Sequence, residues 1–475
     1  MVNLLAWAAH RIGGILLLAR LILCDLLWLL PPHPSLFITM LVPRFIELSY
    51  PELYGTIGAF FDGDTSPIVW LLVVLTIVLM GGSGLPDVLF PKGKLLTSLW
   101  SYILTFVIFF AVPVGWLGRV YHTFQLSREI EYELTSVFPG LNAEQSHDGV
   151  FALNTPYSIE AHVTNAFGGY PPLVPDLTLT YKTIEPKGTC GPEKEIMDIP
   201  YESYYAQNRR ELDKGNLQLD VYKPSKQHRS GKSPIILHLH GGAWYKGDRS
   251  FIRMGYHGGV PRFWLDQGFT IVSVSYRLLC SNSHVMDAIE DTADAISFVE
   301  KNAVAWNADG STIFPFGTSA GGHLALITAL QHKLKSVRGI ISLYGVAELR
   351  EVELQQRAAD FFEASGARMK VSAFLEATRH VCQNHEFDSA DACFHAISPL
   401  AHVNIEMPPI LIVHGESDPL VPPQQASWLK NASVAVGVPS VLIKVPGSHD
   451  CDVHVSSPCS QATMYASERF IHSLI

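Results

Sequence analysis

Apolar positions are arranged in two different ways along this chain. Residues 1–120 carry them in long runs, whereas beyond residue 205 they come in short runs separated by helical patterns. Leu95–Gly118 has no charged residue and is crowded with Leu, Ile, Phe and Val. As a helix, that run is long enough to cross a hydrocarbon core of ~30 Å. Trp100, Tyr102 and Trp116 near its ends suit the membrane interface. Ile68–Leu85 is a second uncharged run, weakened at its end by Gly81-Gly82-Ser83-Gly84. Residues 4–30 are Leu-rich, but Arg11, Arg20 and Asp25 interrupt them and do not share one helical face. That segment reads as a signal-anchor, a third span or a re-entrant piece, and not as a cleaved signal peptide. The pattern predicts a transmembrane helical region over 1–120, with strong spans at 68–85 and 95–118. A connector over 121–205 follows, broken by Gly169-Tyr170-Pro171-Pro172.

From 206 to 475 the chain alternates. Strand-like runs occur at Leu217–Tyr222, Ile235–His240, Phe269–Tyr276, Ile313–Phe316, Gly339–Tyr344, Ile410–His414 and Val441–Val445. Near-continuous apolar strands between helices predict an α/β fold, with a mostly parallel sheet covered on both faces. Asp287–Glu300 has helical periodicity. Ala347–Ile397 is too long for a simple crossover and reads as a helical insertion capping the site.

Composition narrows the picture. Charged residues make up 16% of the chain, against ~25% in soluble proteins. Apolar content is an ordinary 48%, so the hydrophobic excess is local. A net charge of −10 without a basic stripe excludes a nucleic-acid partner. Of the seven cysteines, Cys24 lies in the apolar region; Cys190, Cys280, Cys382, Cys393, Cys451 and Cys459 lie in the polar part. That even set permits disulfides, with Cys382/Cys393 and Cys451/Cys459 as the close pairs, or free buried thiols. No Cys/His spacing resembles a zinc site, so no metal is expected.

The chemistry concentrates in two segments. Gly317-Thr-Ser319-Ala-Gly321 is a Gly-x-Ser-x-Gly pattern, weak alone, but here it follows an apolar strand and precedes a helix-like run. That context is what a nucleophile elbow needs: the turn holds Ser319 in a strained, exposed position. A side chain at Gly317 or Gly321 would collide with a neighbouring strand or helix. The following helix N-terminus favours developing negative charge. The second segment, His240-Gly241-Gly242-Ala243-Trp244, ends another strand. Acyl transfer builds negative charge on a carbonyl oxygen, and Gly241 and Gly242 let backbone N–H groups approach it. The N–H of Ala320 completes the expected oxyanion hole.

A serine hydroxyl needs a base, and the base needs an orienting carboxylate. In this strand–turn–helix setting the chain order is Ser, acid, His. Asp418 and His449 each follow a strand end, where catalytic groups gather in open α/β sheets. Glu416 is the rival acid and His454 the rival base. The other histidines read as structural, with His238 pointing into the sheet layer and His323 starting the elbow helix.

Together, His240-Gly-Gly-Ala-Trp244, Gly247-Asp248, Tyr276-Arg277-Leu278, Asp291, Gly317–Gly322 and His414–Pro422 resemble the α/β-hydrolase superfamily. Within it, the pattern is similar to hormone-sensitive-lipase-like and feruloyl-esterase-like carboxylesterases. It also resembles isoprenylcysteine methylesterases, which pair such a domain with N-terminal membrane spans. Three positions depart from the pattern: Ala243 replaces a third glycine, Thr318 precedes the nucleophile, and Ser448 and Asp450 flank His449.

The expected activity is cofactor-free ester hydrolysis through an acyl-enzyme, on a small and hydrophobic or lipid-like ester beside the bilayer. An acyltransferase, an amidase or formamidase using the same triad, and a catalytically inactive membrane receptor or scaffold are the alternatives. Lys92 and Lys94 between the strong spans, with Asp62 and Asp64 before them, favour a luminal catalytic domain in the endoplasmic reticulum or a related endomembrane. The sequon Asn431-Ala-Ser433 agrees, whereas Arg119 and Arg128 oppose it.

Overall fold

The computed structural model of the chain describes residues 126–139, 173–185, 211–212, 214–225, 231–244, 247–253, 259–279, 283–351, 354, 387, 389–447, 449–452 and 457–475. The chain divides into two units, Met1–Gln125 and Leu126–Ile475, and every described residue belongs to the second. The spans expected within 4–30, 68–85 and 95–118 therefore lie outside the described residues. Among the described residues no helix is long and apolar enough to cross a membrane.

Eight strands form one sheet: β1 (Leu177–Thr183), β2 (Asn216–Tyr222), β3 (Ser233–Leu239), β4 (Thr270–Val274), β5 (Ala308–Thr318), β6 (Ile340–Leu343), β7 (Ile410–Gly415) and β8 (Ser440–Val445). Their order across the sheet is β1-β2-β4-β3-β5-β6-β7-β8. β2 runs antiparallel to both β1 and β4, and the remaining pairs are parallel. This mixed sheet fits the expected α/β-hydrolase architecture. Each apolar run read from the sequence is a strand, with ends shifted by a few residues.

The inner strands are apolar on both faces because both faces are covered. Ile235, Leu237 and Leu239 of β3 enter one core, while Ile236 enters the other. In β7, Ile410 and Ile412 likewise face away from Leu411 and Val413. The first core takes in α3 (Val285–Asn302), α4 (Ala320–His332) and α6 (Gln424–Ala435). The second takes in α1 (126–137), α2 (Gly259–Asp266) and α7 (Pro458–His472).

Two segments on the connector side of residue 205 belong to this unit. β1 is the edge strand, its side chains half-buried or exposed, so its short alternation lacks the apolar run that marks the other strands. α1 buries Ile130 and Leu134. Its Glu131 pairs with Arg469 at 2.8 Å, and its Glu133 with Lys430 at 2.7 Å. Of the insertion expected over 347–397, the described part includes its two ends and α5 (Ala390–Ala396). Those ends lie side by side: Leu349 N–H donates to Ser398 Oγ and Leu400 N–H to Ala347 O, both at 2.9 Å.

In register, Leu239 lies beside Gly317, Thr318 beside Leu343, Leu343 beside Val413, and Gly415 beside Val445. The C-terminal ends of β3, β5, β6, β7 and β8 therefore form one edge. The loops leaving that edge carry every candidate residue.

Candidate active site

Ser319 follows β5 directly and caps α4, with φ 53° and ψ −118°. A non-glycine residue at positive φ is strained, by roughly 1–3 kcal/mol. The surroundings hold it there. Ser319 N–H donates to Leu343 O at 2.9 Å, and Ser319 O accepts from His323 N–H at 3.0 Å. The glycines explain themselves by contact: a Cβ on Gly317 would lie 2.1 Å from Gly321 O, and one on Gly321 2.0 Å from Leu239 O. The turn fits only if strand, helix and β3 touch backbone to backbone. Ser319 is strained as expected but only 9% exposed.

The loop after β3 lies against this turn. A Cβ on Gly241 would be 3.1 Å from Thr318 O and 3.5 Å from Ser319 Cβ. Gly242, Ala243 and Trp244 have φ of 115°, 53° and 57°. Ala243, standing where the resemblance expects glycine, thus adopts the left-handed conformation that glycine favours. Trp244 Nε1–H donates to His323 Nδ1 at 3.1 Å. Burial pushes His323 down to about 4, so the ring is neutral and its proton sits on Nε2, which donates to Ile397 O at 2.7 Å. One histidine therefore ties the glycine loop, the elbow helix and the end of the insertion. His240 stacks on Tyr276 at 4.2 Å and is also pushed down to about 4 by burial.

His449 and Asp418 come to the same place. His449 Nε2 is 2.9 Å from Ser319 Oγ, and His449 Nδ1 is 2.8 Å from Asp418 Oδ2. A carboxylate only accepts, so Nδ1 carries a proton, and once the ring is neutral its Nε2 is the acceptor for the serine hydroxyl. Asp418 Oδ1 accepts from Leu420 N–H at 2.8 Å and Val421 N–H at 2.9 Å. His414 Nε2 lies 3.3 Å from Asp418 Oδ2. Burial alone would raise the Asp418 pKa, but His449 and His414 hold it well below the usual carboxylate range. Burial would likewise lower His449; the Asp418 charge overrides it and raises the pKa above the ordinary imidazole value.

The rivals separate. Glu416 is exposed and Asp418 is buried; His454 lies outside the described residues. His238 is buried in the sheet layer, its Nδ1 2.8 Å from Ser273 Oγ. Among the described residues no acidic, Cys and His cluster could hold a metal ion.

Sequence reasoning passed over Tyr344, Asp452 and His414. The Tyr344 ring centroid is 4.7 Å from that of His449, and its hydroxyl donates to Asp452. Tyr344 and His414 end or follow apolar strands, where a ring side chain reads as core. Their position at the C-terminal sheet edge was the available signal. Of the candidate cysteine pairs, Cys451–Cys459 is a disulfide. Cys393 is also disulfide-bonded, to a residue outside the described ones.

Residues 219–432 match the family model described as BD-FAE. The isoprenylcysteine alpha-carbonyl methylesterase of Arabidopsis thaliana is 25% identical over 276 residues, covering 55% of this chain and 61% of that protein. Esterase LipC of Mycobacterium tuberculosis is 26% identical over 262 residues, covering 51% and 59%. The chain thus spans about six-tenths of these relatives. Among solved structures, esterase 2 of Thermogutta terrifontis is 21% identical with a TM-score of 0.45, covering 64% of this chain and 96% of that one. The family matches bear out the carboxylesterase resemblance read from the motifs.

Proposed function

We propose that this chain, whose second unit is an α/β-hydrolase with carboxylesterase relatives, hydrolyses carboxylic esters through an acyl-enzyme on Ser319. The observation that carries the reading is the unbroken line Ser319 Oγ, His449, Asp418, with contacts of 2.9 Å and 2.8 Å. His449 Nε2 takes the Ser319 proton as Oγ attacks the ester carbonyl. Asp418, already ionised, stabilises the imidazolium. The backbone N–H groups of Gly241, Gly242 and Ala320 receive the oxyanion. His449 then protonates the leaving alkoxide, and in the second half it activates water to release the acid. Ester and water are consumed, alcohol and acid are released, and Ser319 and His449 return to their starting protonation states.

A hydrophobic, lipid-like ester is the proposed substrate class, prenylcysteine methyl esters among them. Its support is the apolar character of residues 68–85 and 95–118, which would hold the enzyme at a bilayer. The catalytic unit is proposed to face the lumen of an endomembrane. The Cys451–Cys459 disulfide suits an oxidising compartment, and Asn431 of the sequon is exposed on α6.

A fluorophosphonate probe should label the wild-type chain and not Ser319→Ala; equal labelling of both would remove Ser319 from the mechanism. A lipid-extract screen comparing the same two proteins identifies the ester, and added alcohol acceptors show whether acyl groups go to water. A glycosidase mobility shift lost in Asn431→Gln supports the luminal orientation. Digestion of the catalytic unit from outside sealed microsomes would overturn that orientation alone.

A further inference from the structure

The mechanism leaves one covalent feature beside the site unused. His449 lies between β8 and α7, and Cys451, just beyond it, is bonded to Cys459 in the first turn of α7. Both cysteines are buried. Cys451 O accepts from Ser457 Oγ at 2.6 Å, and Ser457 Oγ in turn accepts from Ser460 N–H at 2.9 Å, capping α7. On the other side of His449, Gly447 O accepts from Ser417 N–H at 3.0 Å, tying the base loop to the acid loop. A Cβ on Gly447 would come 2.9 Å from Cys451 Cβ, so the two flanks of His449 already touch. Asp452 accepts from the hydroxyl of Tyr344, whose ring lies against the imidazole.

We propose that the Cys451–Cys459 disulfide is a positioning element for His449. It anchors the chain immediately after the base to a helix that is itself fixed. α7 does not need the bond to dock: Met464, Tyr465, Phe470 and Ile471 are fully or almost fully buried, and Arg469 pairs with Glu131. The cross-link therefore constrains the loop that the helix supports. A base on a loop must be held to within ~0.5 Å of its working position, and its supporting contacts decide whether it is. Reduction by a dithiol would convert the disulfide to two thiols, oxidise the dithiol to its own disulfide, and release the loop. Activity would then depend on the thiol–disulfide state of the compartment. The proposal rests on the triad reading above.

The test is the Cys451→Ser/Cys459→Ser double variant of the full chain. The rate of fluorophosphonate labelling at Ser319 is followed across the pH range that titrates an imidazole, alongside ester kinetics. Labelling should slow about tenfold or more, with KM little changed. The acid limb should move to lower pH, because Asp418 would hold the imidazolium less well. A folded variant with wild-type rate and an unmoved limb overturns the proposal. Should the variant fail to fold, chain carrying Cys393→Ser is reduced with a dithiol and reoxidised. Loss and recovery of labelling support the proposal; an unchanged rate, with Cys451 and Cys459 both shown alkylated, overturns it. Wild-type chain that is not labelled at all sinks the triad reading and this proposal together. Labelled wild type with an equally fast variant sinks this proposal alone.

Discussion

Ser319 and His449 sit 2.9 Å apart, yet different forces hold them. At Ser319 the backbone is the constraint: Gly317 and Gly321 let β5, α4 and β3 meet so closely that the serine has one place to go. At His449 the constraint comes from other segments: Asp418 on Nδ1, the tilted Tyr344 ring beside it, and a disulfide just beyond it. The turn is rigid because there is no room for alternatives. His449 is held because several separate contacts agree. A backbone lock should respond to added volume, and a loop held by contacts should respond to lost partners.

Changing the chemistry without touching either support gives the largest effect. Ser319→Ala should lower kcat by about 10⁶-fold and abolish probe labelling, with an unchanged circular dichroism spectrum. Removing the main electrostatic partner of the base comes next. Asp418→Asn should lower kcat by about 10⁴-fold, since an amide favours the wrong imidazole tautomer. It also carries a pH signature. In the wild type, Asp418 raises the His449 pKa, so the imidazole stays protonated, and inactive as a base, to higher pH than an ordinary histidine. The wild-type acid limb of kcat/KM should therefore lie on the alkaline side of the ordinary value, and Asp418→Asn should move it to lower pH.

The backbone lock is tested by volume. Gly321→Ala would drive a methyl to 2.0 Å from Leu239 O, and should destabilise the unit by about 3 kcal/mol or more in denaturant melts. A smaller effect is expected from Tyr344→Phe, which keeps the ring beside His449 but drops the hydrogen bond to Asp452. A loss of about 1–1.5 kcal/mol, or roughly tenfold in kcat, fits one such bond. Smallest of all, Glu416→Gln should leave steady-state kinetics within about twofold, because an exposed carboxylate is screened by water. A severe loss there would reassign the acid.

Much of the site was legible before the structure because its signals are short. A strand, a glycine, a serine and a helix occupy adjacent positions, so that local context points to Ser319, and with it to Gly241 and Gly242 after another strand. Asp418 and His449 were legible as residues that follow strand ends. Tyr344 and His414 were not, because an aromatic or imidazole ring at a strand end reads as core. β1 was less legible for a different reason: Leu177–Thr183 alternates apolar and polar positions, so it lacks the continuous apolar run that marks the other strands.

By itself, then, the sequence determined the α/β alternation, the strained serine turn and the glycine loop beside it. Each follows from steric and hydrophobic rules acting over a few consecutive residues. Only the tertiary structure decided that Asp418, and not Glu416, faces His449, that His323 links the glycine loop to the insertion, and that Cys451 joins Cys459 beside the base. These are choices among chemically similar candidates, settled by how the loops beyond the strand ends turn their side chains. Ser319 and His449 are 130 positions apart and meet because β5, β6, β7 and β8 pair in that order, and no short stretch of sequence carries that order.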